Sequence, residues 1–215
     1  FGLGTFQIPA DGSTYKAVRE ALDLGIRHID TAAAYFNERE TGKAIRESGI
    51  PREQVFLTSK LWLQDYGYEA AKKGIETSLR KLGFDYMDLY LIHQPYGDIY
   101  GAWRTMERFY EAGALRAIGV SNFQPDRITD FALHQRIRPT VNQIEVNPFR
   151  WSLILTINKK KSGKSCGMQA FAWKAGGLSV REIRRCSISH ICHNNRIFSR
   201  FFRDTIITFY LYISP

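Results

Sequence analysis

Residues 26–46 read IRHIDTAAAYFNERETGKAIR. The stretch opens as a short apolar strand, IRHIDTA, and runs into Asp30 and then Tyr35. It continues as a helix, NERETGKAIRESG. Asn37 is read as that helix's N-cap, with Glu40 three residues on in the spacing of a capping box. Strand, polar loop and helix make one βα unit. Its oddity is Asp30, because a carboxylate at the end of a buried strand is costly unless it has a partner. Either Asp30 starts the next helix or it holds something charged.

Working outward from that unit, the same beat recurs over the first 150 residues. On the N-terminal side, FGLGTF is a strand and TYKAVREALDLG a helix closed by Gly25. On the other side, QVFLTSKLW is a strand, GYEAAKKGIETSLRKLG a helix, YMDLYLIHQP a strand and IYGAWRTMERFYEAG a helix. LRAIGVSNF, QPDRITDFALHQ and TVNQIEVNPF follow as strand, short helix and strand. Strict βα alternation implies parallel strands covered by helices.

An open nucleotide-binding sheet and a closed (β/α)8 barrel both satisfy that alternation. The open sheet normally carries a Gly-rich phosphate turn after its first strand. FGLGTFQIPADG offers G-x-G without a third glycine in register. Polar residues instead stand at the C-terminal ends of successive strands: Asp30, Lys60, His93, Ser121 with Asn122, and Gln143 with Glu145. In a barrel those ends converge on one mouth, where active sites sit. The expected fold is an α/β (β/α)8 TIM barrel, incomplete at its C-terminal end.

Taken singly, each polar residue has a bland reading: Asp30 a turn residue, Tyr35 a packed aromatic, Lys60 a snorkelling cation, His93 a satisfied core histidine. Together they point to chemistry. Asp30 and Lys60 can pair, which answers the burial cost of both. A lysine beside a phenol is expected to depress the tyrosine's pKa from about 10 and make it a proton donor. A neutral histidine nearby can polarise a carbonyl oxygen.

GIRHIDTAAAYFNERETGKAI, VFLTSKLW, MDLYLIHQP, AIGVSNF and VNQIEVNPF resemble, in order, the motifs of the aldo-keto reductases, with the branch of 2,5-diketo-D-gluconate and glyoxal reductases as the nearest likeness. The resemblance covers residues 1–150. It implies a (β/α)8 barrel and reduction of small aldehydes or ketones by hydride from NADPH. It also implies roles by position: Tyr35 as general acid, Lys60 and Asp30 tuning it, and His93 orienting the substrate carbonyl. Ser121, Asn122 and Gln143 would hold the nicotinamide carboxamide, and Trp62 would line the substrate pocket, although a packed rim residue is an equal reading. The alternative function is a catalytically inactive member, acting as a cofactor-binding or interaction module or as a truncated gene product.

After residue 150 the pattern departs. Residues 1–150 carry 19 basic and 19 acidic residues, whereas residues 151–215 carry 11 basic and only 2 acidic ones, which accounts for the whole net charge of +9. Within this atypical basic segment, GMQAFAW suggests a seventh strand at 167–173, with Trp173, or else Phe171, stacking on nicotinamide. The family's eighth strand and its 2′-phosphate contacts are missing. A frame-shifted ending, a divergent folded ending and a functional basic or metal-binding tail remain as readings. Cys186, His190, Cys192 and His193 fit no zinc spacing with two clean ligand pairs, so no metal is expected. Charge alone would be the support for nucleic-acid binding, and none is expected.

No apolar run reaches the ~18 residues of a membrane span. The opening residues lack a signal-peptide pattern and a start methionine, as a fragment would. All three cysteines lie in the last segment, which leaves a cytoplasmic setting as the default. The expected partner is a small carbonyl substrate, and a monomer is expected.

Overall fold

The computed structural model describes residues 2–146, 168–172 and 207–212. The first of these segments alternates strand and helix without interruption. It runs β1 (Gly2–Gly4), α1 (Ser13–Asp23), β2 (His28–Asp30), α2 (Glu38–Arg46), β3 (Phe56–Leu61), α3 (Tyr68–Leu82), β4 (Leu89–Ile92), α4 (Ile99–Glu111), β5 (Ile118–Ser121), α5 (Pro125–Leu133) and β6 (Val141–Val146). Each strand from β1 to β6 pairs in parallel with the next. This is the βα repeat that the periodicity implies, and the sheet is curled as in part of a (β/α)8 barrel.

Curling can be read from one contact. β2 and β6 are four strand spacings apart, about 19 Å in a flat sheet. Yet Gln143 on β6 donates to Asp30 on β2 at 2.7 Å. Only a sheet that bends round on itself brings those side chains together.

Two apolar layers hold the bend, and β4 divides between them. Tyr90 and Ile92 pack outward with Trp103, Ile75 and Phe131 of the covering helices. Leu89 and Leu91 pack with Val141 on the inner face. Successive strand residues point to opposite faces, so one parity faces helices and the other faces the barrel axis. Gly119 on β5 belongs to the inner parity. A Cβ there would lie 2.7 Å from Val141 and 2.9 Å from Leu91, so glycine lets these side chains close over the strand. At the other end of a helix, Gly83 takes φ 74° and closes α3 in the left-handed conformation that spares it the Cβ penalty.

Helix starts differ from the sequence reading in one place. Asn37 precedes α2, but its side chain makes no capping bond, and Glu40 does not reach back to it. Glu40 instead accepts from the backbone N–H groups of Gly12 (2.8 Å) and Tyr15 (3.2 Å). It therefore caps the neighbouring α1, whose own N-cap, Gly12, has no side chain to offer. The capping box fails because both residues bond across elements.

Beyond β6, β7 (Met168–Ala172) and β8 (Ile207–Tyr212) are also strands. β8 lies between β6 and β7 and is antiparallel to both. The parallel repeat thus ends at β6 among the described residues. The sequence reading does not include β8, although ITFYLY is rich in the β-branched and aromatic residues that favour strands. Trp173, Cys186, His190, Cys192 and His193 lie outside the described residues. Among the described residues, no helix is long and apolar enough to cross a membrane.

Candidate active site

The inner parity runs out of apolar residues at the C-terminal ends of the strands. It continues there with Asp30 on β2, Lys60 on β3, His93 just past β4, Ser121 on β5 and Gln143 on β6. All five are buried. The strand register keeps them on one parity and steps them toward the strand ends: Asp30 pairs with Thr58, two residues before Lys60, Lys60 pairs with Leu91, two before His93, and Ser121 pairs with Gln143. Polar ends on apolar strands are what converge at the mouth of a barrel.

Lys60 is 1% exposed and forms a salt bridge with Asp30. It also donates to the Thr31 carbonyl (2.9 Å) and to the Tyr35 hydroxyl (3.3 Å). An ammonium has three N–H donors, and these three acceptors take them all. Asp30 is satisfied in turn, with Lys60 on one carboxylate oxygen and Gln143 on the other. The pair therefore meets the conditions under which buried charge is tolerated. Burial pulls the Lys60 ammonium below its ordinary pKa, and Asp30 opposes that pull.

Tyr35 ends the 3-10 turn Ala33–Tyr35 and is half-buried beside this pair. Its ring stands 5.0 Å from Phe6 and edge-on to His93 at 5.6 Å. The expected depression of its pKa is not found. Burial foremost, then the charge of Asp30, hold the phenol well above its ordinary value. Burial and the Asp30 charge outweigh any pull from Lys60 toward a phenolate.

His93 packs against the Trp62 ring, edge-on at 4.9 Å. Burial, followed by the nearby Lys60 charge, lowers its pKa to about 3, so the imidazole is neutral at neutral pH. Its Nδ1 is enclosed and has no hydrogen-bond partner among the described residues. The loop after β5 reaches the same place. Asn122 adopts φ 63° and donates to the His93 carbonyl (3.1 Å) and to Ser121 Oγ (3.2 Å). Ser121 donates to the Gln143 carbonyl at 2.9 Å.

Asp30, Tyr35, Lys60, His93, Trp62, Ser121, Asn122 and Gln143 thus form one connected group. A hydroxyl and two side-chain amides beside a buried Lys–Asp pair offer both donors and acceptors, a set that fits a carboxamide. Two participants escaped the sequence reading. Phe6, in the loop after β1, lies on the Tyr35 ring, and Asn37 is buried among the loops rather than capping α2. No sequence periodicity marks a loop aromatic. Asn37's position before a helix favours the wrong local explanation.

The profile of the Aldo/keto reductase family matches residues 1–164, and the chain belongs to that family. An aldo-keto reductase of Mycolicibacterium smegmatis is 48% identical over 150 residues, covering 68% of this chain and 54% of the relative. Glyoxal reductase of Bacillus subtilis is 42% identical over 177 residues, covering 80% and 62%. A crystal structure of a Bombyx mori aldo-keto reductase in complex with NADP is 37% identical with a TM-score of 0.67, covering 74% of this chain and 58% of that one. The chain therefore spans between 54% and 62% of the length of these curated relatives. The resemblance carried by the five motifs is borne out at the level of family and fold.

Proposed function

We propose that this member of the family reduces aldehyde or ketone carbonyls of small metabolites to alcohols, with NADPH as its cofactor and Tyr35 as the proton donor. The observation that carries the reading is the Asp30–Lys60–Tyr35 chain of contacts with neutral His93 facing the Tyr35 ring. Family membership and the NADP complex of the Bombyx mori relative support it.

Each group has a role its environment favours. With Nδ1 enclosed, Nε2 is the His93 nitrogen left to meet a substrate oxygen, and a neutral ring has one N–H to give. Tyr35 keeps its proton through neutral pH and passes it to the oxygen as negative charge develops there. An alkoxide is a much stronger base than a phenolate, so the transfer runs downhill even from a phenol of raised pKa. Lys60 then holds the phenolate oxygen, with Asp30 holding Lys60. Ser121, Asn122 and Gln143 would hold the carboxamide of the nicotinamide, which when bound supplies hydride to the carbonyl carbon. Trp62 would border the substrate.

A second reading, a member without turnover, is favoured by the antiparallel β8 that interrupts the parallel repeat after β6. One assay separates the two: NADPH oxidation by the full chain with methylglyoxal, alongside Tyr35→Phe. Turnover that falls by at least about 10²-fold in Tyr35→Phe, within the range expected on losing a positioned general acid, supports the proposal. Turnover unchanged in Tyr35→Phe refutes the assigned donor, and NADPH binding without turnover favours the second reading.

A further inference from the structure

Asn37 is fully buried and has every hydrogen-bonding position of its amide filled. Its Oδ1 accepts from the hydroxyls of Thr5 (3.2 Å) and Thr31 (2.9 Å). Its Nδ2 donates to the carbonyls of Thr5 (2.8 Å) and Ile8 (2.9 Å). None of these four bonds serves α2, the helix that Asn37 precedes. Three of them tie the loop after β1 to the loop after β2, and the fourth, from Thr31, braces the second loop on itself.

Both loops carry parts of the site. The first holds Phe6 against the Tyr35 ring. The second holds Tyr35 itself, and its Thr31 carbonyl is one of the three acceptors of Lys60. Between Tyr35 and Asn37 stands Phe36, a non-glycine residue with φ 59° whose side chain is 82% exposed. An L-residue with a bulky side chain is strained in that conformation. Its exposed ring gains little packing in return. Strain of this kind persists only where the flanking structure over-determines it. Here the flanks are Asn37, pinned in the core, and Tyr35, in contact with Lys60.

We propose that Asn37 is a positioning residue for Tyr35. It locks the two loops together and, through the reversed backbone at Phe36, fixes the phenol between Phe6, Lys60 and His93. The proposal rests on the reading of Tyr35 as proton donor only in what it says about catalysis. Its statement about where Tyr35 is held stands independently of that reading.

The test uses the full 215-residue chain with Asn37→Ala, Asn37→Asp and Thr31→Val. Asn37→Asp keeps the two accepted bonds and loses both donated ones. Thr31→Val removes a single bond without changing shape. Tetranitromethane nitration, mapped by mass spectrometry, reads the freedom of Tyr35, with Tyr110 on α4 as internal reference. The expected result is several-fold faster nitration of Tyr35 in Asn37→Asp, a smaller rise in Thr31→Val, and no change at Tyr110. In the reductase assay kcat should fall about 10²-fold with KM unchanged, the cost of a small misplacement of a catalytic group. In a Tyr35→Phe background Asn37→Asp should then add nothing, as for residues acting as one unit.

Nitration of Tyr35 at the wild-type rate in folded Asn37→Asp overturns the proposal. So does a kcat loss that adds in full to that of Tyr35→Phe. If the wild-type chain shows no turnover, the reductase reading falls and the nitration result alone decides this one. If Asn37→Ala does not fold, Asn37→Asp and Thr31→Val carry the same decision.

Discussion

Removing the Lys60 ammonium should cost far more than removing both members of its ion pair. In Lys60→Met the side-chain volume is nearly kept, so packing changes little. The electrostatics change greatly, because Asp30 loses the Lys60 ammonium, and the neutral amide of Gln143 cannot replace that charge. The Thr31 carbonyl also loses its side-chain donor. Asp30 and Lys60 are 3% and 1% exposed, so water cannot substitute. Breaking a buried pair by deleting one partner costs about 3–5 kcal/mol. Asp30→Asn should cost a similar amount by stranding the cation. In the double variant neither charge of the pair remains, and the amide introduced by Asp30→Asn can still accept from Gln143. The loss should then shrink to about 1–3 kcal/mol for the unmet polar groups. The assay is urea unfolding at pH 7 followed by tryptophan fluorescence, with the coupling energy taken from the four chains. If the two single losses add to give the double, Asp30 and Lys60 do not depend on each other, and mutual compensation is not how this site tolerates buried charge.

Acid should destabilise the chain through its buried histidines. Burial lowers His93 to about 3 and His28 to about 4, so the unfolded chain takes up these protons from about pH 6.5 downward while the native chain does not. Stability is therefore full above pH 6.5 and falls as pH drops toward 4. The share of His93 reaches on the order of 5 kcal/mol below about pH 3, and urea midpoints from pH 7 to 4 should fall less steeply in His93→Gln. Glu40→Ala should cost roughly 0.5–2 kcal/mol by uncapping α1. Amide exchange should quicken at Gly12 and Tyr15 while the start of α2 is unchanged; faster exchange at α2 instead would restore the capping-box reading. Reduction should show no loss of rate from pH 6 to 9, because Tyr35 is held above its ordinary value. An alkaline limb with a midpoint near 7 to 8 would contradict a protonated phenol.

The strand ends were legible because two independent patterns agree on them. Alternation along MDLYLIH puts Leu89, Leu91 and His93 on one face, and the βα beat says that face turns inward at a common mouth. Asp30, Lys60, Ser121 and Gln143 follow by the same parity on their own strands. What was not legible depends on distances that no local pattern encodes. Gln143 and Asp30 are 113 positions apart and meet only because the sheet curls. Asn37 and Glu40 sit at the spacing of a capping box, and that local pattern is correct for many helices. Here each found a partner in another element, Asn37 in the loop after β1 and Glu40 at the start of α1. β8 escaped because an antiparallel strand has no place in the repeat that made the other strands readable.

The direction of the Tyr35 shift changes how the site is understood. A lysine beside a phenol suggests an acid made strong by its neighbour. In this chain the lysine's charge is already engaged by Asp30, and the phenol sits in a half-buried niche between Phe6 and His93. Such an environment favours the protonated phenol. In the proposed reaction its proton would move when a stronger base appears beside it, as reduction of a carbonyl would create. On that proposal Lys60 would matter after that moment more than before it, since its N–H to the Tyr35 oxygen is already in place for an anionic oxygen. Burial pulls the Lys60 ammonium toward its neutral form, and Asp30 opposes that pull. In the proposed reaction the proton transfer would be shared among three side chains: Asp30 would preserve the charge, Lys60 would deliver it to the phenol oxygen, and Tyr35 would hold the proton until that charge is needed.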